Sequence, residues 1–243
     1  MPDITRLEQA ALNAVPAPRV AWDGPFVLRA FLGGTGRANA ACSLDPRFDE
    51  DLAERVGRIE AHYAGLGMSC RFRSTPLDPP GLVALLEGRG YREAEGALVM
   101  TGAVPPAGDE EAQWLEGPEA DWLSVLATAE YQGPARRAEK ERAVPLLARP
   151  ATWLVLRVDG TPAACGHAVV DGELCGVFDL AVRPEFRGRG LGRRLLGVLA
   201  GWGAAQGARL CWLQVAPGNA AARRVYEAAG FAERYRYRYF LNG

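Results

Sequence analysis

From Asp179 to Leu196 the chain reads Asp-Leu-Ala-Val-Arg-Pro-Glu-Phe-Arg-Gly-Arg-Gly-Leu-Gly-Arg-Arg-Leu-Leu, a strand entering a glycine-rich basic loop and then an amphipathic helix. These residue types in this order are suited to hold a phosphate. Glycines at 188, 190 and 192 let the backbone turn tightly and approach a ligand closely. The helix that follows offers unpaired N–H groups and a positive dipole end, to which Arg187 and Arg189 add full charges. An anion such as a pyrophosphate fits there. A Walker loop needs Gly-Lys-Ser/Thr, which is missing, and a dinucleotide fold expects an acid at the end of the next strand, whereas Arg209 to Val215 carries none.

Downstream, Asn219 to Phe231 reads Asn-Ala-Ala-Ala-Arg-Arg-Val-Tyr-Glu-Ala-Ala-Gly-Phe. Ala222, Tyr226 and Gly230 recur at helical spacing after an asparagine suited to cap a helix, and Gly230 ends it. The loop Arg187-Gly-Arg-Gly-Leu-Gly192 resembles the acyl-coenzyme A loop of the GNAT acetyltransferase superfamily, and Asn219 to Phe231 resembles its Asn-x-x-Ala-x-x-x-Tyr-x-x-x-Gly-Phe element. The resemblance covers residues 113 to 243. It implies acetyl-coenzyme A as cosubstrate, with the pyrophosphate on Arg187, Gly188, Arg189, Gly190, Leu191, Gly192 and Arg193 and the pantetheine along Leu180, Ala181 and Val182. It also implies that Asn219, Ala222 and Tyr226 border the cofactor, with Tyr226 near the thioester sulfur and a backbone N–H near Val182 meeting the oxyanion.

Acyl transfer to an amine needs a neutral nucleophile and a proton for the departing thiolate. An ammonium with pKa near 10.4 loses about 5 kcal/mol in becoming neutral at pH 7, so a base helps. Asp179, Glu173 and Glu130 are the candidate bases, and the sequence leaves the choice among them open. In strict alternation Asp179 shares a strand face with Val177 and Ala181. Tyr226 is the expected general acid, because a phenol near pKa 10 yields its proton to a thiolate near 8.5 for about 2 kcal/mol. The expected function is an N-acetyltransferase acting on an amine of unread identity by direct attack. The alternatives are a non-catalytic acyl-coenzyme A sensor and a purely structural tandem module.

What must position these residues is a globular chain of 243 residues, 49% hydrophobic, with a formal charge of −1. That balance argues against nucleic-acid binding by bulk electrostatics. The Arg-Tyr alternation at 234 to 239 reads as a strand with an arginine face and a tyrosine face. Five cysteines without a Cys-x-x-Cys pair read as small core residues in a reducing cytoplasm. No apolar run approaches the roughly 20 residues of a membrane span. His62 and His167 lack metal-ligand partners at suitable spacing, so no metal is expected. A monomer or homodimer is expected, with a small-molecule or peptide amine as substrate.

The expected fold class is α/β (α+β): two similar units, each a mixed, mostly antiparallel twisted sheet flanked by helices. Leu191, Leu195, Val198 and Trp202 follow spacings of 4, 3 and 4, as do Leu52, Val56, Ile59 and Tyr63 an offset of 139 earlier. Pro46-Arg-Phe48 answers Pro184-Glu-Phe186, and Gly90-Tyr91 answers Gly230-Phe231. The reading divides the chain into a degenerate copy at 1–103, a linker at 104–112 and a catalytic copy at 113–243. Where the second copy has Arg187-Gly-Arg-Gly190 the first has Asp49-Glu-Asp51, and Leu86 answers Tyr226. The first copy is therefore expected to bind no cofactor and to pack against or shape the second.

Overall fold

Asp3 caps the first helix, its carboxylate accepting from the Arg6 backbone N–H at 2.7 Å. The computed structural model describes residues 3–103, 108–109, 111–129 and 132–242. The first half contains α1 (Ile4–Ala14), β1 (Arg19–Asp23), β2 (Phe26–Ala30), β3 (Ala41–Ser43), α2 (Leu52–Gly65), β4 (Arg71–Ser74), α3 (Leu82–Gly88) and β5 (Arg92–Gly102). The second contains β6 (Ala112–Leu115), α4 (Ala120–Leu126), α5 (Pro134–Ala143), β7 (Ala151–Val158), β8 (Thr161–Asp171), β9 (Leu174–Val182), α6 (Leu191–Ala205), β10 (Leu210–Val215), α7 (Ala220–Ala228) and β11 (Ala232–Leu241). Residues 104–107 and 110 of the expected linker lie outside the described residues.

The repeat is visible down to single hydrogen bonds. Helices α3 and α7 both end at a glycine with φ 86°, Gly90 and Gly230. The next residue then closes the helix, Tyr91 N–H to the Leu86 carbonyl at 3.0 Å and Phe231 N–H to the Tyr226 carbonyl at 2.9 Å. The stripes Leu52, Val56, Ile59, Tyr63 and Leu191, Leu195, Val198 are buried against their sheets, with Trp202 half-buried.

The mixed, mostly antiparallel sheet is one surface of eleven strands in the order β1-β2-β3-β4-β11-β5-β10-β9-β8-β7-β6. Each half contributes an antiparallel run followed by one parallel pair, β3 with β4 and β9 with β10. The final strands are exchanged: β11 pairs with β4, β5 pairs with β10, and the two pair with each other at the centre. Exchange leaves neither half an open edge at the junction. A Cβ on Gly96 would lie 1.9 Å from the Tyr237 carbonyl oxygen, so residue 96 must be glycine for the exchanged strands to meet.

Helices α2 and α3 cover one part of the sheet, while α6 and α7 pack on Leu98, Met100, Val177 and Leu213. The opposite face of the central strands receives α1, and α4 packs on Trp153, Val155, Cys165 and Ala181. Buried Glu8 on α1 accepts from the Arg73 guanidinium of β4 and the Tyr235 hydroxyl of β11, tying helix and exchanged strand together. Along β11, Tyr235 and Tyr237 are buried and Arg236 and Arg238 exposed, as the alternation requires. Helix α1 and the short strand β6 are absent from the sequence reading. The apolar side of α1 is mostly alanine, and β6 has four residues, too few for a period to show.

Candidate active site

The chemistry of the site starts from a slip in register. Cys165 of β8 faces Ala181 of β9 and His167 faces Phe178, so two residues, Asp179 and Leu180, stand opposite Gly166 alone. Asp179 takes φ 53°, a left-handed conformation that Asp tolerates better than most residues. The bulge breaks the alternation expected from the sequence. Val177 packs on the α6 side and Ala181 on the α4 side, so Asp179 does not share one face with both. Instead Phe178 and Asp179 line one cavity while Leu180 and Val182 face α6.

Just beyond the bulge the sheet opens. The parallel pairing of β9 with β10 runs from Leu174 and Leu210 to Val177 and Leu213 and stops there, although β10 continues to Val215 and β9 to Val182. Leu180, Ala181 and Val182 thus turn an unpaired edge toward β10.

At the end of β9 the chain passes through a 3-10 turn, Pro184–Phe186, into the basic loop. Gly188 and Gly190 both have φ 77°, and α6 starts at Leu191 with no side chain capping its N–H groups. A Cβ at 188 or 190 would meet nothing within 4 Å, and one at Gly192 only Val225 Cγ1 at 4.0 Å. The protein therefore leaves the space over the helix start open. Arg187, Arg189 and Arg193 are exposed around it, with Arg189 5.3 Å over the Phe186 ring. Open amides, cations and space together fit a pyrophosphate. At the matching place in the first half there is no glycine loop: Asp49 is ion-paired with Arg55, and Asp51 stands at the start of α2.

Helix α7 forms as its sequence requires, Asn219 Oδ1 accepting from the Ala222 N–H at 3.0 Å. Tyr226 lies on its inner face, 9% exposed, its ring 6.2 Å from Phe231. No hydrogen-bond partner of its hydroxyl is found among the described residues. Burial pushes the phenol up to about 12.

On the other face, beneath the bulge, lies a small cavity that opens to solvent, walled by both halves of the chain. The first half supplies the end of α1 and residues from Phe31 to Ala38, and the second supplies α4, α5, Trp153, His167, Phe178 and Asp179. Asp179 is ion-paired with Lys140, and its Oδ2 lies 3.3 Å from His167 Nδ1. Burial alone would raise the carboxyl, but Lys140 and His167 outweigh it and hold Asp179 well below the usual carboxylate range. Burial keeps His167 neutral, its ring stacked between Trp153 at 5.5 Å and Phe178 at 5.1 Å. Glu139, also buried, accepts from the backbone N–H groups of Leu32, Gly34 and Thr35 and from Asn39. That contact fastens the first half to α5.

The structure thus brings Asp179 to the cavity and leaves Glu173 elsewhere. Glu173 stands exposed before β9, paired with Arg209 at 3.1 Å. Glu130 lies outside the described residues. The sequence reading misses Lys140, Glu139, Arg37, His167 and the aromatic wall as site residues. They come from separate elements with no shared spacing, so only their convergence marks them.

A family model described as "Probable histone acetyltransferase Rv0428c C-terminal" matches residues 2–240. The chain belongs to that family. It is a GNAT N-acetyltransferase. The uncharacterized N-acetyltransferase YobR of Bacillus subtilis is 26% identical over 241 residues, 96% of each chain. A GCN5-related N-acetyltransferase from Kribbella flavida shares the fold with a TM-score of 0.72 at 19% identity, over 100% of this chain and 96% of that one. A tandem GNAT protein from the clavulanic acid biosynthesis pathway does so with a TM-score of 0.60 at 14% identity, over 97% of this chain and 87% of that one. In this GNAT enzyme the open loop and the cavity lie on opposite faces of the sheet, and the split between β9 and β10 begins next to Phe178 and Asp179, which line the cavity.

Proposed function

We propose that the protein transfers the acetyl group of acetyl-coenzyme A to an amine bound in the cavity, by direct attack. The observation that carries this reading is the bulge at Asp179. The pairing of β9 with β10 ends just before it, Asp179 turns into the cavity, and Leu180, Ala181 and Val182 are left without a β10 partner on the way to the glycine loop. Arg187, Gly188, Arg189, Gly190, Leu191, Gly192 and Arg193 would hold the pyrophosphate, and the edge of Leu180 to Val182 would hold the pantetheine.

The amine nitrogen forms a bond to the thioester carbonyl carbon, and the C–S bond breaks with its electron pair on sulfur. Tyr226 supplies the proton for that sulfur. From a phenol near 12, full transfer to a thiolate near 8.5 costs about 5 kcal/mol, so a hydrogen bond to the developing thiolate carries most of the stabilisation. Asp179, held ionised by Lys140, draws and orients the acceptor's ammonium. Neutral His167 beside it is the group with capacity to take the proton released. Mixing the protein with acetyl-coenzyme A and a panel of amines should consume thioester and form N-acetyl product. Tight cofactor binding with no product from any amine would instead assign it to acyl-coenzyme A sensing.

A further inference from the structure

Of the chain's 28 lysine and arginine residues, 27 are arginine and one, Lys140, is lysine. That single lysine stands in the cavity. Helix α5 carries it to the wall, where its side chain is 14% exposed and its Nζ donates to Asp179 Oδ2. The carboxylate that the proposed function gives to an acceptor's ammonium therefore already holds an ammonium of this chain. Asp179 directly precedes Leu180, where the stretch assigned to pantetheine begins. An ion pair alone would not call for lysine here. Arginine pairs with a carboxylate through two parallel hydrogen bonds and stays charged, whereas lysine can lose its proton and become a nucleophile. Burial lowers the Lys140 ammonium, and Asp179 offsets that only in part. Neutral His167 lies beside the same carboxylate oxygen, its Nδ1 3.3 Å away.

We propose that the protein acetylates itself on Lys140, whose Nζ takes the acetyl group of acetyl-coenzyme A bound to the same chain. This rests on the cavity being the acceptor site and on acetyl-coenzyme A being the donor. Nζ first gives up a proton, its lone pair then forms a bond to the thioester carbonyl carbon, and the C–S bond breaks with its electron pair on sulfur. Nζ loses two protons in all: one ends on the coenzyme A sulfur, and the other leaves to solvent through the cavity mouth. The product is an uncharged amide, so the ion pair with Asp179 is lost. Attachment to α5 holds Nζ at the carboxylate without a separate binding step, an advantage that no external amine has.

The test is incubation with acetyl-coenzyme A and no added amine, with peptide mass spectrometry of the protein both as isolated and after incubation. With one lysine in the chain, every ε-acetyl-lysine found reports position 140. Acetyl-Lys140 should approach one per chain, with a first-order rate constant that does not change with protein concentration. Gly190→Val, which opposes cofactor binding at the loop, should slow the modification at least about tenfold. Excess coenzyme A, which lacks the acetyl group and competes for the same loop, should slow the wild type likewise, a readout that needs no variant to fold. An unmodified Lys140, a rate unaltered by both Gly190→Val and coenzyme A, or a rate constant that rises with protein concentration would overturn the proposal. Parallel incubations with the panel of amines separate it from the reading on which it rests. Acetyl-Lys140 with no external product would keep Lys140 as acceptor and reject transfer to an external amine. External product with Lys140 unmodified would do the reverse.

Discussion

Asn39 and Glu139, 100 residues apart, are joined by a 2.7 Å hydrogen bond from Nδ2 to Oε1, and this bond stands at the seam between the two halves. The same carboxylate takes the N–H groups of Leu32 and Gly34 at 3.1 and 2.8 Å, and that of Thr35 at 2.6 Å. The first half thus lends a wall to the cavity of the second.

Glu139→Ala should therefore harm acceptor binding more than cofactor binding. Orphaning these donors should cost about 2 to 4 kcal/mol of stability. Acceptor KM should rise at least tenfold while acetyl-coenzyme A affinity stays within a few fold, as read by denaturation and steady-state kinetics. Equal loss of both affinities would mean that the seam does not shape the acceptor site in particular.

Tyr226→Phe should lower turnover about 100-fold with little change in cofactor affinity. The hydroxyl forms no hydrogen bond among the described residues, so its removal should leave the melting temperature nearly unchanged. Wild-type turnover in this variant would exclude Tyr226 as the proton donor.

Gly190→Val should weaken acetyl-coenzyme A binding at least tenfold by calorimetry. Part of that effect is backbone strain, because Gly190 has φ 77°. Gly192→Val separates the two causes, since residue 192 lies inside α6 and a Cβ there meets only Val225 at 4.0 Å. Loss of binding in both variants assigns the open space to the ligand. Titration of the wild type should give one cofactor per chain, because the first half presents Asp49 and Asp51 where the second presents glycines and arginines.

Stability should depend on pH through Asp78. Burial raises its carboxyl to about 6, against the opposing hydrogen bonds from Ser74 and Thr75. A folded pKa above the unfolded value of about 3.9 means that the protonated group favours the folded state, so its contribution is fullest below about pH 4 and is lost as pH rises through 6. The loss is at most about 3 kcal/mol. Asp78→Asn should flatten the fall in melting temperature between pH 4.5 and 7.5, and an unaltered slope would assign it to another group.

The sequence determined what rests on local physics. The basic loop, the Asn219 cap, the Gly90 and Gly230 helix ends and the two apolar stripes are contained in short windows, where glycine's permissive φ, capping and helical period act on neighbouring residues. The repeat offset was legible for the same reason. Tertiary structure decided what joins distant segments. It exchanged β5 and β11 between the halves, and it turned Asp179 off the face that alternation assigns to it by a bulge set against β8. It also gathered Arg37, Glu139, Lys140, His167 and Trp153 around one cavity. No window of sequence contains those contacts, because strand register and packing between halves depend on the whole sheet at once.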